Sequence, residues 1–498
     1  MKYIWISQPQ FEYDIHSLVK AFYPEDTVRV ICPECGAGER DCSQGDGKAK
    51  EDCLLQITFE ETGIVLVFRE GEGIAHVFQA DHGSGAGRKE KKDVLKRLIY
   101  QALSRMQQQQ LPWGTLTGIR PVKIPMEMLD QGMTETEILQ SMQEEYYMSE
   151  KKGLLGIEIA KKERELLATL HTEDGYSLYV GIPFCPTTCL YCSFTSYPIG
   201  RWKKRVSDYL DALCLELEAT AEICRDKILD TVYIGGGTPT TLEPEELDRL
   251  LQAIETHFDM STVMEFTVEA GRADSITPEK LRVLKQHGVT RISVNPQTMK
   301  EETLRLIGRQ HSVDQVREAF AAARAEGFDN INMDMILGLP EETAEDVQRT
   351  MEELAKLDPD SLTVHSLAIK RASGMSQWIE ENGRESLRNT EEIMELADAG
   401  ARQMEMHPYY LYRQKNMSGN LENVGYAKPG KDGLYNILIM EEKQSIAACG
   451  AGSISKCVHP DGRIERCESV KDVLQYMERI DEMIERKRIL FREDRMDP

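Results

Sequence analysis

The sequence predicts an α/β protein built on a partial (β/α)6 barrel, with a small N-terminal α/β domain before it and a C-terminal α+β domain after it. Two observations predict this class. From Ser177 onward, six short β-branched runs (SLYVGIP, TVYIGGG, MEFTVEA, RISVN, INMDMIL and LTVHSL) alternate with stretches of helical periodicity. Such alternation implies parallel strands joined by right-handed crossovers. The pattern stops after about residue 375, short of the eight units of a closed barrel, so the barrel is expected to be open.

The expected domains are 1–170, 171–375 and 376–498. Up to about residue 95, a polar, glycine-containing stretch from Gly36 to Asp52 is followed by the short apolar runs LLQITF and IVLVF, the pattern of a small α/β domain carrying a loop. Residues from about 90 to 170 have helical spacing, interrupted at LPWGTLTGIRPVK, where proline and glycine force a turn. Within the barrel, Leu247, Leu250, Leu251, Ile254 and Phe258 form one helical stripe, and Val347, Met351 and Leu354 form another. Thr277-Pro278 followed by Gly288 supplies a cap, a first-turn proline and a terminating glycine. Beyond the barrel, a helix from about 388 to 406, the segment YYLYRQKNMSGN and a charged helix near the end make a segment expected to cover one mouth of the barrel. Functional residues on such a scaffold belong at the C-terminal ends of the strands.

A net charge of -24 argues against a nucleic-acid footprint, which needs a basic face, and disfavours anionic membranes, while leaving room for a local basic pocket. The start, MKYIWISQPQFEYD, lacks the apolar run of a signal peptide, and no stretch has the length of a membrane span. A cytoplasmic protein is expected, in which the twelve cysteines are reduced thiols or metal ligands.

Three of these thiols fall in YVGIPFCPTTCLYCSF, at Cys185, Cys189 and Cys192, just after the first barrel strand. A structural zinc site wants four ligands, and no fourth Cys or His follows in the loop. Three thiolates on a [4Fe-4S] cube leave one iron open to chelate an amine and a carboxylate. A zinc site completed from elsewhere, or three unrelated thiols, would show the same spacing. Cys32, Cys35, Cys42 and Cys53 have the uneven spacing of a weak metal signal. Cys214 and Cys224 read as helix thiols, and Cys449, Cys457 and Cys467 show no ligand spacing.

The later strand ends carry polar groups in apolar settings. IGGGTPTTL puts Gly235, Gly236 and Gly237 before Thr238, where free backbone amides could meet a carboxylate. Glu269 ends FTVEA, Gln297 follows RISVNP, and Asp334 lies within INMDMILGLP. Each needs a ligand or a local partner, because a lone buried polar group is costly. Arg309, in LIGRQH, could pair with a carboxylate.

The cysteine motif resembles the C-x3-C-x-aromatic-C signature of the radical S-adenosylmethionine (SAM) superfamily, with Tyr191 as the aromatic. The resemblance implies a partial (β/α)6 radical SAM barrel holding one [4Fe-4S] cluster on Cys185, Cys189 and Cys192. It also implies electrons from a one-electron reductant such as flavodoxin or ferredoxin, and cleavage of SAM to a 5'-deoxyadenosyl radical. The order of the fuller motifs, from Tyr179 to Ser455, is similar to that of the oxygen-independent coproporphyrinogen III oxidase group. WGTLTGIRP and LYRQKN extend the likeness toward its HemZ type.

That likeness implies two SAM molecules, with Tyr179, Gly236 and Glu269 around the first. Tyr191, Gly237, Thr238, Gln297, Arg309, Asp334 and Ala368 would surround the second, with Ile454 a weaker correspondence. The implied reaction, in heme biosynthesis, turns two propionates of the tetrapyrrole coproporphyrinogen III into vinyl groups, giving protoporphyrinogen IX. Two other readings stand beside it: a heme-binding chaperone of the same group, and a two-SAM radical methyltransferase.

The chain departs from the oxidase pattern at Gly181, where that pattern has histidine, and at Phe194, where it has a further cysteine. Lys415-Asn416 stands where the chaperones carry a His-Asn pair. Candidate cations for the substrate carboxylates are Arg371, Arg413, Lys415, Arg120 and Lys123.

Overall fold

A computed structural model describes residues 1–32, 50–69, 73–118, 120–194, 196–370, 373–383, 387–414 and 421–492. The chain divides into two compact units, Met1–Glu158 and Ile159–Pro498.

In the first unit, β1 (Lys2–Ile6) leads through α1 (Glu12–Phe22) to β2 (Val28–Ile31) in a parallel pair. The two apolar runs then form β3 (Leu55–Phe59) and β4 (Gly63–Phe68), followed by β5 (His76–Asp81). The sheet order is β2-β1-β3-β4-β5, with antiparallel hairpins at its later edge. Two-residue periodicity sends Ile4, Ile6, Leu55, Ile57, Ile64, Leu66 and Phe68 into the core. Ile15, Leu18 and Val19 of α1 and Leu95, Leu98 and Ile99 of α2 (Arg88–Gln107) belong to the same core. Two shorter helices follow, α3 (Lys123–Asp130) and α4 (Glu135–Tyr146), the latter opened by a Thr134/Glu137 capping box. Helix α5 (Glu150–Leu167) then carries the chain across the division.

The second unit opens with β6 (Gly175–Ile182) and a short ribbon of β7 (Phe184–Cys185) with β8 (Tyr197–Pro198). Helix α6 (Val206–Ile223) leads to β9 (Ile228–Gly236), and α7 (Pro244–His257) to β10 (Glu265–Gly271). Helix α8 (Pro278–Gln286) precedes β11 (Arg291–Val294), and α9 (Glu301–Leu306) and α10 (Val313–Ala325) precede β12 (Ile331–Leu337). Helix α11 (Ala344–Leu357) leads to β13 (Ser361–Ser366). The six expected barrel strands lie in order and parallel. The expected helix signals act as read. Thr277 caps Lys280 N–H at the start of α8, and Leu247, Leu250, Leu251 and Ile254 form the buried face of α7.

The segment beyond residue 375 does not fold as a layer of its own. After α12 (Gly374–Asn382) and α13 (Glu391–Gln403), β14 (His407–Tyr412) and β15 (Asn423–Ala427) extend the sheet antiparallel beyond β13. Helix α14 (Leu434–Glu441) then crosses to β16 (Ser445–Cys449), which pairs in parallel with β6. Strands β17 (Ile454–Val458) and β18 (Ile464–Glu468) finish the sheet, and α15 (Val473–Glu478) and α16 (Ile480–Leu490) end the described chain. Both free edges of the six-stranded core are thus occupied by C-terminal strands, and β6 and β13 do not meet. That keeps the barrel open. Helix α14 packs against β9 and β14, and its Tyr435 ring stacks on Tyr233 at 4.3 Å between centroids.

Candidate active site

One cavity of about 560 Å³ gathers Cys185, Cys189, Cys192 and nearly every strand-end residue singled out from the sequence. The cysteine loop is pinned by three segments, around Ile307–Gly308, Met375 and Arg272. Leu190 N–H donates to Ile307 O at 3.0 Å, Met375 N–H donates to Leu190 O at 2.9 Å, and Thr187 Oγ1 donates to Gly308 O at 3.1 Å. Arg272 donates to Thr187 Oγ1 at 2.7 Å, approaches Cys189 Sγ at 3.9 Å and forks onto Asp274 at 2.6 and 2.9 Å. Burial pushes the Asp274 carboxyl up, but His311 and the Arg272 pairing together hold it far below its usual range.

The glycine-rich turn packs beside this loop. Gly237 N–H donates to Ile182 O and Thr238 N–H to Phe184 O, both at 2.7 Å. These amides are therefore occupied, correcting the expectation that they are free for a ligand. A Cβ at Gly237 would lie 2.5 Å from Phe184 O and 3.0 Å from Cys185 Sγ, so only glycine permits the approach. Gly236 has φ +106°, which again requires glycine.

The three thiols form no disulfide. Burial pushes Cys185 up to about 11 and raises Cys192, while Arg272 and Arg309 pull respectively the other way. Among the described residues, no three His, Cys, Asp or Glu side chains are gathered so as to hold a metal ion as they stand. Three soft sulfur donors on one cavity wall, with guanidinium groups beside them, have the donor chemistry of an iron-sulfur site.

Around the cavity, Glu269 accepts from the Tyr233 hydroxyl, and burial raises its carboxyl to about 7 despite that bond. Asp334 accepts from Asn332 Nδ2 at 2.7 Å and lies 3.7 Å from His365 Nε2. Burial pushes its carboxyl up, but these partners and Arg291 hold it below the usual value. Gln297 is buried at φ +69°, bridged to Met335, and its Oε1 has no partner. A non-glycine residue in that conformation with an unpaired amide oxygen points to a ligand. Arg309 donates to Tyr191 Oη at 3.3 Å and to the Asn295 carbonyl, not to a carboxylate. Gly236, Gly237, Thr238, Tyr191 and Ala368 also line the cavity.

Tyr179 does not line it. Its ring is stacked with Tyr233 and Tyr435, each at 6.2 Å. Ile454 is 44% exposed on β17 and lies outside the cavity. Of the candidate cations, Arg413 is buried, with its guanidinium lowered to about 10 by burial, and does not line the cavity. Arg120 and Lys123 belong to the first unit, and Arg371, Lys415 and Asn416 lie outside the described residues, as do Cys35 and Cys42. Among the described residues, the arginines and lysines that line the cavity are Arg272, Arg291, Arg309 and Lys370. Arg272, Arg291 and Lys370 escaped the sequence reading, as did His365, Tyr410 and Tyr412. Arg291 had a usable signal: it shares two-residue spacing with Gln297. Phe194 is 76% exposed at the cavity, and Gly181 is covered by Cys449 O, 3.4 Å from where a Cβ would stand.

A thiol-bearing loop after the first strand of an open parallel barrel, with polar strand ends facing it, defines a radical SAM protein, and residues 179–354 match the Radical SAM superfamily model. The chain is 41% identical over 380 residues to the oxygen-independent coproporphyrinogen-III oxidase-like protein HemZ of Bacillus subtilis, covering 75% of this chain and 76% of that protein. It belongs to that HemZ family of radical SAM proteins. It is also 33% identical over 278 residues to the heme chaperone HemW of the same organism, covering 56% of this chain and 70% of the chaperone. Among solved structures, coproporphyrinogen III oxidase (HemN) from Escherichia coli aligns with a TM-score of 0.52 at 24% identity, over 64% of this chain and 72% of that one. That likeness speaks to the fold: a partial radical SAM barrel.

Proposed function

We propose that the protein is a radical SAM oxidoreductase that decarboxylates two propionates of coproporphyrinogen III to vinyl groups, giving protoporphyrinogen IX. The observation that carries the reading is the single cavity shared by the three thiols, Glu269, Gln297, Asp334 and Arg309. Cys185, Cys189 and Cys192 would hold a [4Fe-4S] cluster, which when bound supplies the single electron for reductive SAM cleavage. The residues around it bind, orient and exclude water. Glu269, its carboxyl raised to about 7, suits the amino N–H groups of SAM. Asp334, kept ionised by His365 and Asn332, suits hydroxyl or ammonium donors of a second SAM, beside Gln297 and Ala368. Arg272 positions the cysteine loop and Arg309 positions Tyr191. No side chain needs to act as general acid or base. Each propionate gives up one hydrogen atom to the radical made from SAM, then carbon dioxide and one electron, which passes to a one-electron acceptor, and this leaves the vinyl double bond. A cytoplasmic setting with flavodoxin or ferredoxin as reductant completes the reading; among the described residues no helix is long and apolar enough to cross a membrane.

The test is anaerobic turnover of the reconstituted protein with SAM, a one-electron reductant and coproporphyrinogen III. Expected are divinyl product and 5'-deoxyadenosine, both abolished in Cys189→Ala. Stoichiometric heme uptake with unchanged porphyrinogen would replace this reading with a carrier. S-adenosylhomocysteine among the products would replace it with methyl transfer.

A further inference from the structure

The inward-facing residues of β11 and the turn after it are Arg291, Ser293, Asn295 and Gln297, and each carries a polar atom with no partner: Arg291 Nε, Ser293 Oγ, Asn295 Oδ1 and Gln297 Oε1. All four line the cavity. A strand advances about 3.3 Å per residue, so Arg291 lies roughly 13 Å down the barrel from Asn295, toward the end away from the cysteine loop. Arg291 is 2% exposed. Its guanidinium donates to a neutral group, Ser361 Oγ, at 3.2 Å. The fields of Glu265, Glu269 and Asp334 reach it, but none of the three forms an ion pair with it, and Glu265 already accepts from Leu434 N–H, Tyr435 N–H and Thr267 Oγ1. The first turn of α14 closes over the group: a Cβ at Gly433 would stand 3.4 Å from Arg291 Cζ.

A buried cation without an ion-pair partner is costly, and a planar guanidinium is matched by a planar carboxylate. We infer that Arg291 and Ser293 form a carboxylate-binding subsite at the inner end of the cavity, with Asn295 accepting from an N–H of the same ligand further out. The inference rests on the function proposed above for its ligand sources, because both SAM and coproporphyrinogen carry a carboxylate and N–H donors. It assigns this strip, not the cysteine-loop end, as the anchor.

The test is equilibrium binding to the full-length protein before cluster reconstitution, with three probes: coproporphyrin III, SAM and sodium propionate. Wild type is compared with Arg291→Gln and with Ser293→Ala, circular dichroism confirming that each is folded. The expected result is a loss of affinity for at least one probe of about tenfold or more in Arg291→Gln, and a smaller loss in Ser293→Ala. Loss confined to coproporphyrin names the substrate propionate as the occupant, and loss confined to SAM names the SAM carboxylate. Arg291-dependent propionate binding without coproporphyrin or SAM binding would keep the subsite and sink the proposed function. Wild-type affinity for every probe in both variants, or no binding by wild type, would overturn the inference.

Discussion

Gly237 and Glu269 show how single residues set the chemistry of the site. At Gly237 the obstacle to any side chain is backbone, Phe184 O and Ile182 O, which cannot rotate away as a side chain could. Gly237→Ala should therefore displace the cysteine loop, lowering iron and sulfide incorporated on reconstitution to well under half of wild type, at a stability cost of about 1–3 kcal/mol. Iron assay and thermal melts read both. Glu269 carries a carboxyl raised from 4.5 to about 7, first by burial. The folded state thus holds a proton there that the unfolded state has released between those values. Its contribution to stability is fully present below about pH 4.5 and is lost as pH rises through about 7, amounting to about 3 kcal/mol. Glu269→Gln should flatten that part of the stability profile in urea titrations. If the Glu269 carboxylate accepts from the amino group of SAM, wild-type SAM affinity should rise between about pH 6 and 8, and the variant should show no such rise.

Among elements, α14 depends on a residue far from it in sequence. Glu265, at the start of β10, accepts from Leu434 N–H at 2.6 Å and Tyr435 N–H at 3.4 Å, completing the first turn of a helix whose Gly433 cap has no side chain. Glu265→Ala should cost about 2–3 kcal/mol in urea unfolding, since it leaves buried N–H groups and the Thr267 hydroxyl unpaired. Glu265→Gln, which keeps one acceptor oxygen, should cost less. Equal losses in both would show that charge alone matters. Elements with local signals were legible beforehand. Thr277, Pro278 and Gly288 announced α8, and β-branched runs announced the six strands, because capping and periodicity are properties of neighbours in sequence. The use of Glu265 as a helix cap 169 residues away carries no such local mark.

Across the whole second unit, the C-terminal helix is locked to the barrel by a buried ion pair, Lys487 Nζ to Glu216 Oε1 at 2.9 Å, with the two side chains 3% and 0% exposed. Glu216 also accepts from Gly450 N–H at 2.7 Å and from Tyr476 Oη, while Lys487 donates to Thr220 Oγ1 at 3.1 Å and approaches Cys449 Sγ at 3.2 Å. Removing one partner strands the other charge, so Lys487→Met should destabilise by about 3–5 kcal/mol. Adding Glu216→Leu should recover part of that loss, giving a favourable coupling in a double-mutant cycle. Strict additivity would mean that the pair contributes nothing beyond packing.

The sequence by itself determined the alternation of strands and helices, the three-cysteine loop and the polar strand ends Glu269, Gln297 and Asp334. These depend on short-range spacing and on the cost of burying polar groups. Only the tertiary structure decided which groups share a cavity. It brought in Arg272, Arg291 and Lys370. It moved Tyr179 into an aromatic stack and turned the amides of Gly237 and Thr238 toward backbone. It also joined the C-terminal strands to both edges of the barrel sheet. The physical reason is that pairing partners for unsatisfied strand edges and buried charges come from distant parts of the chain, and proximity of that kind is created by packing, not by spacing along the sequence.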